Sequence, residues 1–142
     1  MKIKYKVLQE SDIPLIKDLV VEGFRQFSAE SIKNFINTSN TYAFVALDTA
    51  KIVGLCYGYV LTRPDQDAAN FYIRSLGVSE SFRNKGIGSE LLNFSISYAF
   101  ENLGCCECYL TSCKGNAHAR HIYEKSGGKI NEGEVVYVFK RE

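Results

Sequence analysis

Val78-Ser79-Glu80-Ser81-Phe82-Arg83-Asn84-Lys85-Gly86-Ile87-Gly88 is the stretch that decides the fold of this chain. Before it, the apolar run Ile73 to Val78 reads as a buried strand. After it, from Ile87, apolar residues recur at helical spacing. Strand, glycine turn and helix start together form a pocket for a negatively charged group. The first N–H groups of a helix lack internal partners, and the helix dipole adds partial positive charge at that end. Gly86 and Gly88 remove side chains that would keep an anion from the backbone, and Arg83 and Lys85 add full charges. The expected occupant is a phosphate or pyrophosphate. The stretch contains no G-x-x-x-x-G-K-[ST], and Gly86-Ile87-Gly88 lacks the third glycine of the dinucleotide fingerprint. These absences argue against a nucleotide-hydrolysing or nicotinamide-dependent enzyme.

The pattern continues in both directions. Residues 2–8 read as a strand. Ser11 or Asp12 is positioned to cap a helix with Pro14 in its first turn, followed by Ile13, Ile16, Leu19, Val20 and Phe24 at helical spacing. A shorter helix starts at Ser28 and carries Ile32, Phe35 and Ile36. Tyr42 to Leu47 and Ile52 to Leu61 form a hairpin around the turn Asp48 to Lys51. Arg63 to Asn70, with Pro64, Asp65 and Asp67, reads as a polar loop before a strand from Phe71 to Val78. The helix from Gly86 to Leu103 has a broad apolar face of Ile87, Leu91, Leu92, Ile96, Ala99 and Leu103, wide enough to cover a sheet, with Gly104 as its C-terminal cap. A strand over 105–112, a helix over 116–126 ended by Gly127-Gly128, and a last strand from Val135 to Phe139 complete the order. The expected fold is α/β (α+β): a mixed, mostly antiparallel central sheet flanked by helices, in the order β-α-α-β-β-β-α-β-α-β-β. Gly77, inside the central strand, marks a bulge or a close backbone approach. A cofactor with an amide-bearing arm on a pyrophosphate would pair with Leu76 to Val78 and reach the turn.

Bulk properties narrow the class. The 142 residues are expected to form one domain, 1–142, and 46% apolar content marks it as globular. A net charge of +1 with scattered basic residues gives no case for nucleic acid or an anionic membrane. No apolar run reaches a membrane span and the N-terminus lacks a signal-peptide core, so a cytoplasmic protein is expected. Cys105 and Cys108 make a CxxC with only His118 and His121 nearby as further ligands. The alternation of Cys106, Cys108 and Leu110 with Glu107, Tyr109 and Thr111 instead puts the cysteines on one strand face as small apolar groups, and no metal is expected. Val135, Tyr137 and Phe139 alternate with Val136 and Val138, giving a tail apolar on both faces: either a buried strand or half of a homodimer sheet.

Val78-x-x-x-Phe82-Arg83-x-Lys85-Gly86-Ile87-Gly88-Ser89-x-Leu91-Leu92 resembles the acetyl-CoA loop of the GNAT superfamily of N-acetyltransferases, whose core is R/Q-x-x-G-x-G/A. Asn116-x-x-Ala119-x-x-x-Tyr123-x-x-x-Gly127 is similar to a second motif of that family at the same distance downstream, and the element order covers the whole chain. The resemblance implies that Arg83, Asn84, Lys85, Gly86, Ile87, Gly88 and Ser89 hold the pyrophosphate of CoA through backbone amides. It implies that Leu76, Gly77 and Val78 pair with the pantetheine arm, that Asn116 hydrogen-bonds it, and that Ala119 leaves room for it. Tyr123 would be catalytic, protonating the leaving thiolate.

The chain departs from the family pattern where many members carry a glutamate as general base; here that position is Tyr72, an unsuitable base at neutral pH. Proton removal then falls to water, a backbone carbonyl, or a carboxylate such as Glu22, Asp67 or Glu134, unless the amine arrives neutral. Gly128 replaces a frequent Phe, and Ser79-Glu80 replaces a turn containing Pro. The implied function is direct acetyl transfer from acetyl-CoA to a primary amine of a small molecule, an aminoglycoside-like compound or a peptide. A non-catalytic CoA-binding or regulatory module of the same fold is the rival. The acidic loop at Asp65 and Asp67 is a weak candidate for attracting a cationic acceptor.

Overall fold

The computed structural model describes residues 2–16 and 27–141. Strands β1 (Ile3–Val7), β2 (Thr41–Asp48), β3 (Lys51–Arg63), β4 (Gln66–Val78) and β5 (Cys105–Leu110) form one five-stranded sheet in chain order. The first four are mutually antiparallel and β5 runs parallel to β4. A 3-10 helix (Glu10–Ile16) and helix α1 (Ala29–Ile36) precede β2, α2 (Ile87–Asn102) crosses from β4 to β5, and α3 (Ala117–Lys125) follows β5. A parallel neighbour needs such a crossover, because a tight hairpin joins only antiparallel strands.

Period-two alternation divides the apolar residues between two faces. On β2, Phe44 and Ala46 point toward α2, where they meet Phe71, Ile73, Ile87, Leu91 and Leu92; Ala43, Val45 and Leu47 point toward Ile13, Ile16 and Ile32. A bulge at Val53 interrupts the β2–β3 register, and Val53 and the following Gly54 both lie on the α2 side. A Cβ on Gly54 would stand 3.3 Å from Leu91 Cδ2, so this glycine lets α2 lie close to the sheet.

Several expectations need correction. The residues taken as a polar loop, 63–70, instead extend β3 and β4 to thirteen residues each. Only Pro64 and Asp65 turn between them, since Pro presets the turn dihedral and Arg63 pairs with Asp65 at 2.6 Å. Asp65 is therefore already partnered as an exposed ion pair. The segment opening at Glu10 is 3-10, with Pro14 inside it. Asp12 is buried there, accepting from Gln9 N–H and pairing with Lys6 at 2.8 Å. Leu19, Val20, Glu22 and Phe24 lie outside the described residues. On β5 the single-face reading of the cysteines fails. The register shifts opposite Ala69, so Cys105 is buried in the core while Cys106 is exposed, its thiol 3.8 Å from Asn70 Oδ1. The last strand is absent: Val135 to Phe139 form no ladder, and Phe139 is 94% exposed.

Gly58 fixes how closely β3 and β4 approach. A Cβ there would fall 2.1 Å from the carbonyl oxygen of Tyr72 and 3.0 Å from the Phe71 ring. Backbone cannot yield as a flexible side chain does. Gly58→Ala is expected to destabilise the protein by roughly 3 kcal/mol, read as a lowered urea midpoint. A midpoint equal to that of the parent would show that the strands separate freely.

Candidate functional site

The site begins where the sheet divides. β4 pairs with β5 only as far as Ile73 opposite Leu110. One residue later Arg74 is bulged out of the β3–β4 ladder: Tyr57 opposes Ser75 and Gly58 opposes Ile73. Beyond that bulge Leu76, Gly77 and Val78 pair with Cys56, Leu55 and Gly54 on one side, and among the described residues no strand lies beside their other edge. All three are half-buried. An open edge of backbone N–H and C=O groups inside a fold is a template for an extended, amide-bearing ligand.

That edge leads into the glycine turn. A short 3-10 segment, Glu80–Phe82, brings Arg83 N–H onto Glu80 O at 3.2 Å, so the Arg83 amide is used within the turn. The Arg83 side chain folds back, its Nε donating to Val78 O at 3.0 Å, and Lys85 Nζ stands 5.6 Å from the Phe82 ring centre. Asn84 at φ 60° and Gly86 at φ 81° turn the chain through the left-handed region into α2. Nothing lies within 4 Å of a Cβ built on Gly86, so its glycine is a backbone requirement. The first helical hydrogen bond is Glu90 N–H to Gly86 O, which leaves the N–H groups of Ile87, Gly88 and Ser89 without intrahelical acceptors.

Helix α3 forms the opposite wall. A Cβ on Gly88 would touch Ile122 Cδ1 at 3.5 Å and Val78 Cγ2 at 3.6 Å, so strand end, helix start and α3 meet at one point. Asn116 caps α3, its Oδ1 accepting from Ala119 N–H at 3.1 Å; its two Nδ2 hydrogens make no bond among the described residues. Ala119 is half-buried one turn before Tyr123. Gly128 N–H donates to Tyr123 O at 2.9 Å and Gly127 N–H to Glu124 O at 3.0 Å, with Gly127 at φ 92°: a Schellman stop. A Cβ on Gly128 would come 2.9 Å from Tyr123 O, which accounts for glycine at this position.

Tyr123 is half-buried, and burial, followed by the nearby Cys56 thiol, raises its phenol above the ordinary range. Cys56 is wholly buried. Burial pushes it up to about 12 against a hydrogen bond from Ser95, with Cys108 adding to the rise. Cys108 is likewise pushed up to about 12, by burial first and then by Cys105 and Glu107. The wall around Tyr123 therefore holds its protons at neutral pH. Ser126, one turn beyond, has a buried Oγ without a partner among the described residues, a donor that sequence reasoning missed. The described residues contain no group of three or more His, Cys, Asp or Glu able to hold a metal, and no helix among them is long and apolar enough to cross a membrane.

On the sheet face opposite α2, Tyr72 stands in a row that sequence reasoning also missed. Tyr59, Tyr72 and Tyr109 are direct cross-strand partners; the Tyr59–Tyr72 rings stack at 6.4 Å and the Tyr72–Tyr109 rings at 5.1 Å. Phe35 of α1 closes one end, edge-on to Tyr59 at 5.6 Å. The tyrosines are visible in the sequence, but the register that aligns them is not. Of the carboxylates weighed for proton removal, Glu134 lies near enough to Tyr109 to help raise its phenol, behind burial, Tyr72 and Glu107.

Comparison with known proteins bears on this site. The family model described as Acetyltransferase (GNAT) family matches residues 13–128. An aminoglycoside acetyltransferase, meta-AAC0020, from an uncultured soil metagenomic sample, solved with trehalose, is 26% identical with a TM-score of 0.83, covering 99% of this chain and 97% of its own. A ribosomal-protein-alanine N-acetyltransferase from Brucella melitensis biovar Abortus 2308 shares the fold at 16% identity, TM-score 0.79, with 99% and 100% covered. So does AAC(6')-Iy, solved with the bisubstrate analog CoA-S-monomethyl-acetylneamine, at 14% identity and TM-score 0.79, with 99% of each chain covered. A search of curated protein sequences gives no match.

The raised thiols and phenols give a pH dependence of stability. As pH rises past the ordinary thiol value of 9.0, the unfolded chain loses these protons while the fold keeps them up to about 12. The unfolded state then binds fewer protons, so unfolding free energy falls with rising pH. The urea midpoint is expected to drop between about pH 9 and pH 12, and Cys56→Ala to flatten that slope. A slope unchanged in the variant would dissociate Cys56 from the effect.

Proposed function

Because the chain belongs to the acetyltransferase (GNAT) family and is an acyltransferase, we propose that it moves the acetyl group of acetyl-CoA directly to a primary amine, with no acyl-enzyme. The observation that carries this reading is the open edge of Leu76 to Val78 running into the anion-binding start of α2. An arm bearing two amides fits the first, and a pyrophosphate fits the second. The amides of Asn84 to Ser89 suit the pyrophosphate oxygens, with Lys85 beside them. Asn116 suits the arm, through the Nδ2 hydrogens that capping leaves over.

Acetyl-CoA supplies the thioester carbonyl. The amine nitrogen forms the new C–N bond, the C–S bond breaks, and Tyr123 gives its hydroxyl proton to the departing sulfur before recovering one from water. A phenol raised by burial stays protonated at neutral pH, which suits an acid and not a base. Cys56 and Cys108 are held as thiols, which makes them poor nucleophiles and supports transfer without a covalent intermediate. The amine's own proton leaves to water. The five cysteines are all free, consistent with a reducing compartment such as the cytoplasm.

Tyr123→Phe is expected to lower kcat about a hundredfold while the Kd for CoA stays within about twofold. Equal turnover in the variant would remove Tyr123 from the chemistry. Acetyl-CoA at about a hundred times its Kd is expected to raise Tm by roughly 5–10 °C, and thiol release is expected to require an added amine. The absence of any shift would refute the co-substrate assignment.

A further inference from the structure

The C-terminal tail takes no part in the core or in the site. Val135, Val136, Tyr137, Val138 and Phe139 are 70–94% exposed and form no ladder with any described strand. A run of β-branched and aromatic residues without charge or proline has high strand propensity and a strong tendency to pair. By alternation the run is apolar on both faces, the pattern of a strand covered on each side. The far end of the sheet shows how this chain treats an edge that it keeps free. β1 pairs with β2 alone, and β1 with the residue before it carries Lys2, Lys4 and Lys6, guards against pairing with another chain. The tail has no such guard between Glu134 and Lys140.

The charges at its two ends specify the neighbour. Two copies of the tail can lie antiparallel with Tyr137 opposite Tyr137 of the partner subunit. Glu134 then stands opposite the partner's Lys140, Val135 opposite the partner's Phe139, and Val136 opposite the partner's Val138. Each apolar residue meets an apolar one, and each end of the ribbon gains an ion pair. A shift of two residues sets Glu134 against a valine or Lys140 against one, and a parallel arrangement sets like charges side by side. Among the described residues neither Glu134 nor Lys140 has an ion-pair partner in its own chain. The register is self-complementary, as a two-fold contact requires.

We propose that the tail is a homodimer interface, in which residues 134–140 of two copies pair antiparallel about a two-fold axis at Tyr137. The contact is independent of the acetyl-transfer reading. A bare two-stranded ribbon is marginal in water, and β5 offers a further strand. The outer edge of β5 is unpaired among the described residues, and Glu134 lies near enough to Tyr109 to act on its phenol. A tail ordered by its partner therefore has β5 within reach on its other side.

Sedimentation equilibrium of the whole chain tests the contact. The parent is expected to sediment as a dimer of 16.0 kDa subunits. Glu134→Lys and Lys140→Glu each oppose like charges at both ends of the ribbon, and each is expected to weaken the dimer about tenfold. Mixed in equal amounts, the two single variants carry matching charges again. They are expected to associate with each other within about threefold of the parent's affinity. Both positions are exposed, so the variants keep the fold, and misfolded subunits would not recover on mixing. A monomeric parent overturns the inference. So does a parent dimer that both reversals leave intact, or a pair of variants that stays monomeric when mixed.

Discussion

One bulge organises this molecule. Arg74 takes an extra place on β4, and the parallel pairing with β5 stops beside it. A sheet that stayed zipped would satisfy the backbone of Leu76 to Val78 and leave no slot. The divided sheet leaves those groups facing a space walled by α2 and α3. The other elements follow from that division: the glycine turn ends the free edge, Ile122 of α3 meets Val78 beside Gly88, and the tyrosine row marks the near end. The separation persists because β4 is held on its other side by β3 over thirteen residues, and because α2 presses Leu91 and Leu92 into the core behind it.

The two walls differ in character. On the α2 side the packed groups include a phenol and thiols that burial keeps neutral. On the α1 side the face carries phenols with carboxylates beside them. That asymmetry follows from which side of each strand a residue occupies. Tyr72 and Phe71 are neighbours in sequence and lie on opposite faces.

The parts legible in sequence were those written locally. The helix starts at Ser28 and residue 116 and the stop at Gly127-Gly128 are read from local residues, and the spacing of Ile87, Leu91 and Leu92 announces a helix over a sheet. The parts that escaped were those set by pairing. Polar residues 66–70 look like a loop until the long partner strand β3 claims them. Cys105 and Cys106 exchange burial because of a register shift that no local pattern announces. The tyrosine row needs two registers at once. The tail from Val135 to Phe139 shows the converse: strong strand propensity forms no strand without a neighbour to pair with.

The distribution of chromophores follows from the same packing. The chain has nine tyrosines and no tryptophan, so its near-ultraviolet absorption and emission belong to tyrosine alone, with no indole to drain the excitation. Tyr57, Tyr59, Tyr72, Tyr109 and Tyr123 all line the slot or the face in front of it. Five of the nine absorbing rings therefore sit on the two faces of the sheet around the fork, where a change in their surroundings would register in tyrosine absorption.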